Sequence, residues 1–427
     1  MDLVCSKCDK IRRANLDILR HKSSARVNAM SDALISSPGG VLSILCAVAA
    51  FWFFIDQITQ WKLFQYIPPL LFIYATPVFL NNVDIIPSGS PVYSGLSSYA
   101  LPAFIVLMLL KVNVPATVRI MGKGILVMLM GTAGVMAGAV IAYVLVHHWL
   151  APDAWKGFGA LAGSWIGGTG NMAAASEMLD TPAEQFGLAV LADNVIYIVW
   201  LPLLLASKNF ADRFNAWANV PEDRLRMMDS ASAAVLEEER TPVMRDYIYL
   251  TAIAIGVTWL ASALASIFFQ AMMQSYPSLE TILSESTWRI LLITTIALAL
   301  SATPVSRLPN ATAIGTAMVY VFVAGMGARA TIEGFGQAPA FLLGAFIWIF
   351  IHGAFCLAGA KLFRVDVHSV AIASAANIGA AASAPIVAAF HRPSLVPVSI
   401  LMALLGYAMG NYLAPLTGHL ARMAVGQ

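Results

Sequence analysis

Apolar runs recur along the chain at 39–55, 67–86, 92–110, 124–150, 184–205, 246–270, 288–304, 310–328, 336–360 and 394–418. A helix needs about 20 apolar residues to cross the hydrocarbon of a bilayer, and most of these runs reach that length. The runs at 39–55 and 288–304 sit near the lower limit. The pattern predicts an all-α polytopic membrane protein.

Two further stretches, 159–178 and 367–390, are apolar but poorly suited to an unbroken helix. Gly163, Gly167, Gly168 and Gly170 crowd into eight residues of the first, and glycine weakens a helix interior. Ser164, Thr169, Asn171 and Ser176 bring polar groups to the same depth. Broken backbone is tolerated in a membrane only when it is buried in protein or lines a cavity. The second stretch echoes the first: Ser374-Ala-Ala-Asn377-Ile-Gly379-Ala-Ala-Ala-Ser383 resembles Gly170-Asn171-Met-Ala-Ala-Ala-Ser176. Each half of the chain therefore reads as four spans, a broken stretch and one more span. The last spans end alike, in Trp200-Leu-Pro202-Leu and Leu413-Ala-Pro415-Leu. Paired polar interruptions at matching places mark the binding site of a secondary transporter.

The expected organisation is a basic N-terminal arm at 1–38, a first repeat at 39–205, a linker at 206–245, a second repeat at 246–420 and a tail at 421–427. The arm carries seven basic residues within 1–30, and Met30 is an alternative start. The linker is expected to hold a short surface helix and no chemistry.

Composition agrees with this class. Hydrophobic residues make up 59% of the chain and charged residues 11%, against about 25% charged in a soluble domain. A net charge of +2 gives no reason to expect a nucleic-acid partner. Cys5, Cys8, Cys46 and Cys356 form no disulfide pattern, and Cys5-x-x-Cys8 lacks a second pair to complete a zinc site.

Charge placement distinguishes two threadings. If both broken stretches re-enter without crossing and residue 39 starts outside, 14 basic residues face the cytoplasm and four, Lys156, Arg289, Arg329 and Arg422, face outward. If both stretches cross, the split is 11 against 7. Both splits omit residues 1–30, whose basic residues count against the first threading. We favour the first threading. It gives five spans per half, and an odd number inverts the second half relative to the first.

Asp193, followed by Asn194, stands in the middle of an apolar span. A charge there costs about 3 kcal/mol on insertion scales, which marks it as a functional candidate. A carboxylate binds sodium through hard oxygen ligands, or carries a proton when burial favours its neutral form. Asn171 and Asn377 at the breaks, with hydroxyls of Thr169, Ser374 and Ser383, are ordinary sodium ligands. The alternative role for all of them is interhelical hydrogen bonding. The candidate substrate site is Gly167, Gly168, Thr169, Gly170, Asn171, Asn377 and Gly379. The candidate ion-coupling set is Asp193, Asn194, Asn171, Ser374, Asn377 and Ser383, with Na+ or H+ as the ion and no cofactor. Asn81, Asn82 and Asp84 either line the path or form a helix end. Glu177 either gates or is solvated. His352 reads more readily as a packing residue than as a proton relay, and His147-His148 as interfacial.

Gly167-Gly168-Thr169-Gly170-Asn171 is similar to the GGxG tip of re-entrant hairpins in sodium-coupled glutamate and citrate transporters. The longer phrase Gly163-Ser-Trp-Ile-Gly-Gly-Thr-Gly-Asn-Met-Ala-Ala resembles the domain-of-unknown-function 819 family, with a resemblance running from about residue 40 to 420. That family is similar in architecture to the cation:proton antiporter and anion transporter superfamily. The resemblance implies inverted repeats, an elevator-type core carrying the broken helices, a scaffold, and a homodimer. It adds weight to Asp193-Asn194, because acid–asparagine pairs occur at ion sites in that superfamily. The second repeat departs from the glycine-rich tip, reading Ala375-Ala376-Asn377-Ile378-Gly379.

No phosphate-binding loop, His-Glu-x-x-His or Gly-x-Ser-x-Gly motif occurs, and no enzymatic activity is expected. Ser164 in Gly-Ser-Trp-Ile-Gly-Gly is compatible with an intramembrane hydrolase, but the duplication argues against it. The expectation is a multi-pass secondary transporter of a bacterial inner membrane. Its cargo would be a small organic anion, an amino acid or a short acidic peptide. A sodium:proton antiporter without organic substrate, and a membrane receptor or structural subunit, remain as alternatives.

Overall fold

The computed structural model describes residues 33–59, 64, 69–112, 122–221, 240–277, 279, 283–330, 336–392 and 395–427, with side-chain detail at all of these but 382. The basic arm at 1–30, the start at Met30 and the Cys5-x-x-Cys8 pair lie outside the described residues. Those residues form helices and connecting turns, with no strand among them.

The first half contains α1 (Pro38–Thr59), α2 (Pro69–Asn82), α3 (Pro91–Leu109), α4 (Lys123–Val146), α5 (Ala154–Gly167), α6 (Thr169–Met178) and α7 (Ala183–Ala206). A short helix, α8 (Ala211–Ala218), follows at the start of the linker. The second half contains α9 (Met244–Ser275), α10 (Glu285–Ser301), α11 (Ala311–Gly327), α12 (Ala338–Phe363), α13 (Val367–Ile378), α14 (Ala380–His391) and α15 (Val396–Ala424). The order of elements repeats, and both closing helices, α7 and α15, carry an internal proline, Pro202 and Pro415.

Seven helices among the described residues are long and apolar enough to cross a membrane. The other three apolar runs appear as shorter helices: α2 with 14 residues, α10 with 17 and α11 with 17. At 1.5 Å per residue, 17 residues span about 26 Å, close to the lower limit for a crossing.

Both broken stretches fold back on themselves. In the first, Lys156 Nζ donates to the Asp180 carbonyl at 3.1 Å. A Cβ on Gly163 would meet the Asn171 backbone at 2.6 Å. Residues early in α5 therefore sit beside residues that follow α6. In the second, the Ser383 hydroxyl donates to the Ala375 carbonyl at 3.0 Å, and the His368 and His391 rings face each other with Nδ1 atoms 3.0 Å apart. Each stretch is a helical hairpin whose two ends lie together.

The hairpins approach from opposite ends of α7. Asp180 and Ala183 flank the mouth of the first, where α7 begins. His391 bonds the Leu204 carbonyl at 2.9 Å, and Lys208 Nζ donates to the Phe390 carbonyl at 2.6 Å, where α7 ends. Twenty-four residues of helix separate the two mouths by about 36 Å. The tips meet between them: a Cβ on Gly168 would come within 2.9 Å of the Ala380 Cβ.

Small residues permit this packing. α5 runs antiparallel against α15, with Gly167 against Gly406 and Gly159 against Gly418. A Cβ on Gly167 would sit 2.4 Å from the Gly406 carbonyl oxygen. Along α4, Gly131, Gly134 and Gly138 admit the side chains of His352, Phe355 and Trp348 from α12. Helices α4–α7 and α12–α15 pack mainly on one another, and α1–α3 with α9–α11 form a second group beside them.

These contacts make a stability prediction. Gly167→Val forces backbone of two helices apart and is expected to cost about 1–3 kcal/mol, read as a lower midpoint in thermal unfolding of the purified protein. Gly256→Ala, in α9 with nothing within 4 Å of the new Cβ, is expected to leave the midpoint unchanged or raised, because alanine is the better helix former.

Candidate functional site

The break in the first hairpin is Gly168, whose φ of 84° and ψ of −179° interrupt the helix between α5 and α6. A side chain is strained at that φ, and the approach of Ala380 leaves no room for one. In the second hairpin the positive φ falls on Ala380, at 47°, one residue after Gly379. An L-residue in that region costs about 1–2 kcal/mol. The Ala375 carbonyl accepts both from the Gly379 N–H and from the Ser383 hydroxyl, each at 3.0 Å, which ties the two helices together across the break.

The matched asparagines occupy different places. Asn171 lies three residues past Gly168, in α6. Asn377 lies three residues before Ala380, at the end of α13. Asn171 Nδ2 donates to the Tyr407 carbonyl at 3.0 Å and to Asn411 Oδ1 at 2.9 Å, both on α15. Asn411 in turn donates to Thr294 Oγ1 on α10 at 2.9 Å. Asn377 is fully buried against α4, paired with Thr132 Oγ1 at 2.9 Å. With its amide turned so that oxygen accepts from Thr132, its nitrogen also reaches the Met128 and Ala373 carbonyls at 3.2 Å. The two asparagines thus bond to different helices.

Asp193 sits a little short of halfway along α7. Its carboxylate accepts from the Ser164 hydroxyl at 3.0 Å and from Trp165 Nε1 at 2.9 Å. Both donors belong to α5, one turn before the break. The Ser164 hydroxyl is thus a partner of this acid. Tyr197, one turn further along α7, lies against Gly379 at the second tip. Asp193 and both tips therefore occupy one region of the core. Thr169 and Gly170 open α6 there, and the first turn of a helix carries amides without intrahelical partners.

The other candidates divide. Asn194 turns away from Asp193 and donates to its own helix, at the Val190 carbonyl. Ser374 belongs to a separate cluster: it accepts from Trp200 Nε1 at 3.0 Å and meets His352 Nε2 at 2.9 Å. His352 Nδ1 faces the Gly131 carbonyl at 2.9 Å, so it must carry the proton. The Ser374 hydroxyl then donates to Nε2, and every polar atom of the triad is satisfied with a neutral ring. This is a packing role. Asn81 and Asn82 both donate to the Ala330 carbonyl and tie the end of α2 to the end of α11. Glu177 pairs with Arg289 of α10 at 3.5 Å.

Residue types alone gave no sign of a polar cavity at the mouth of the first hairpin. It measures about 960 Å³ and lies between α3 and α11 on one side and residues 176–184 on the other. Ser97 and Ser98 line it from a π-helical turn, Leu96–Ala100, within α3. Turns of that kind concentrate at functional sites. Deeper along the seam between α3 and α6, Phe104, Ile105 and Met108 close over Gly170 and Asn171.

A helical bundle with re-entrant hairpins housed in its centre defines a polytopic α-helical membrane protein. The chain belongs to the family described as protein of unknown function (DUF819), which matches residues 43–424. It is also similar to the uncharacterized membrane protein YjcL of Bacillus subtilis (strain 168), with 27% identity over 349 residues, covering 81% of this chain and 87% of that protein.

Ala380→Gly should relieve the unfavourable φ and stabilise the fold by about 1 kcal/mol. The measurement is the thermal midpoint in detergent. A lower midpoint would show that the alanine methyl, packed on Gly168, contributes more than the strained backbone costs.

Proposed function

We propose that this protein is a secondary active transporter that uses a sodium or proton gradient to move a small organic anion, amino acid or short acidic peptide across a bacterial inner membrane. The observation that supports this reading most directly is the meeting of two re-entrant hairpins beside a carboxylate in the interior of the core. Hydrocarbon gives no partner to loose peptide groups, so such breaks are housed by protein or line a cavity, and a pair of them meeting beside an acid favours a binding site.

In this reading Asp193 is the coupling residue. Ser164 and Trp165 each occupy one lone pair of its carboxylate, and the remaining lone pairs are available to a sodium ion or a proton. The first turn of α6, at Thr169 and Gly170, offers amides and a positive helix end to an anionic group of the solute. The two halves act as an inverted repeat. The core, α4–α7 with α12–α15, slides against the scaffold, α1–α3 with α9–α11, in elevator fashion, and a second copy packs on the scaffold to form a homodimer. No bond-making chemistry enters the cycle.

The test is uptake of labelled amino acids and carboxylates into proteoliposomes under an imposed sodium or pH gradient. Asp193→Asn keeps an acceptor for Trp165 but removes the charge. It is expected to reduce gradient-driven accumulation by at least about tenfold, the size of one lost pairing of 1.4 kcal/mol. Undiminished accumulation by the variant would remove Asp193 from the coupling role. Proton movement on addition of sodium alone, with no solute taken up, would replace symport by sodium:proton exchange.

A further inference from the structure

A groove of about 430 Å³ lies at the far end of α7 from the polar cavity, between the end of α7 and α12. The first turns of α13 form its floor. Val367, Val370, Ala371 and Ser374 of that floor are buried, whereas Leu203 and Phe210 on one wall and Phe350 and Leu357 on the other are exposed. The groove is therefore open along its side. Its hydroxyls are already engaged: Ser374 bonds Trp200 and His352, and Ser207 donates to the Leu204 carbonyl at 2.6 Å. The rest of the lining is apolar apart from the Cys356 thiol, which meets His352 Nε2 at 3.5 Å. An apolar hollow of this kind stays dry, and its lining gains dispersion contacts only when hydrocarbon fills it.

The end of the groove towards the mouth of the second hairpin is different. There α8 is fastened beside it: the Val367 N–H donates to Asn215 Oδ1 at 3.1 Å, and Lys361 Nζ donates to the Trp217 carbonyl. Lys208, next to the groove-lining Ser207, donates to the Phe390 carbonyl at 2.6 Å. Each ammonium has three donors, so both lysines retain donors for an anion. Arg213 and Arg364 are exposed at the same end. The acids there are Asp212, which is exposed, and Asp366, which is buried and caps α13 by accepting from the Ser369 N–H and hydroxyl. Trp217 is 47% exposed beside the lysines, and tryptophan is enriched where a membrane meets water.

We propose that the groove holds one acyl chain of an anionic phospholipid, with the lipid phosphate on Lys208 and Lys361. An apolar slot with a cationic end matches a molecule that is hydrocarbon along its length and negative at its head, and basic pockets between membrane helices bind such headgroups. The dimensions agree. From Lys361 to Phe350 the α12 wall runs eleven residues, about 16 Å, which is the depth of one leaflet of a hydrocarbon core about 30 Å thick. This lipid site is separate from the hairpin tips and does not depend on the transport reading.

The experiment uses the full-length protein, purified in detergent and stripped of lipid. Phosphatidylglycerol and phosphatidylcholine with identical chains are titrated in, and the first bound lipid is followed by native mass spectrometry. Phosphatidylglycerol is expected to bind on the order of tenfold more tightly, as basic residues at a membrane surface attract anionic lipid. In the Lys208→Gln, Lys361→Gln double variant that preference is expected to fall towards unity. Ala354→Trp, which fills the groove from its exposed wall, is expected to abolish binding of the first lipid of either kind. Leu203→Trp does the same from the α7 wall should Ala354→Trp fail to fold. Equal affinity of the parent for the two lipids overturns the inference. So does a preference that survives in the double variant, or first-lipid binding undiminished by the tryptophan. Glycerol phosphate, which has no chains, is the competitor: displacement of the lipid by an equal concentration of it would leave a site for anions alone and overturn the assignment of the groove to an acyl chain.

Discussion

Hydrocarbon cannot hydrogen-bond a peptide group, so each break in a membrane helix has to be housed by protein. Gly168 and Ala380 are the two breaks at the centre of this chain, and the rest of the core is arranged to house them. α15 lies against α5 at glycine-to-backbone distance and supplies the Tyr407 carbonyl and Asn411 to Asn171. α4 supplies Thr132 to Asn377. α7 supplies a carboxylate to Ser164 and Trp165. The glycines of α4, α5 and α15 are needed because a housing this close leaves no volume for larger side chains.

Much of this was legible in the residues. Gly167-Gly168-Thr169-Gly170 marks a break because no other residue type tolerates both the backbone angle and the proximity of another chain segment. The second break fell within its expected stretch, at Gly379–Ala380. Both stretches expected to be interrupted fold as hairpins, with mouths closed by Lys156–Asp180 and by His368–His391. The short surface helix of the linker is present as α8.

Register was harder to read. The echo that aligned Asn171 with Asn377 placed them on opposite sides of their tips. Alanine-rich sequence has too few distinctive side chains to fix an alignment across a break, and a shift of six residues changes little in its pattern. Ser374 and Asn194 share residue type with ion ligands, but the direction of a side chain depends on which helix faces it. Trp200 and His352 capture the first, and the Val190 carbonyl the second. The polar cavity depended on the π-helical turn, which re-aims Ser97 and Ser98 and has no signature in composition. Residues 176–184 opposite lie more than 75 residues further along the chain.

The seam between the two helix groups determines what can move. Asn171, Asn411 and Thr294 form one chain of hydrogen bonds across it, and the Thr295 hydroxyl meets Tyr412 at 2.8 Å beside them. Glu177–Arg289 spans the same seam nearer the surface, and the Tyr74 hydroxyl reaches the Ala183 carbonyl at 2.9 Å. Each of these is a single polar contact of modest net worth, about 0.5–1.5 kcal/mol for a neutral hydrogen bond. Within the core, by contrast, glycine stripes bring α5 to α15 and α4 to α12 along their whole lengths. Close packing of that kind resists gradual deformation and favours motion of whole bodies. A displacement that exchanges a few separate seam contacts is therefore much cheaper than one that separates the hairpins from α15 or α4. In the cycle proposed above, the tips, Asp193 and the first turn of α6 would travel together, and the cavity at the mouth of the first hairpin, walled by both helix groups, would change shape with them.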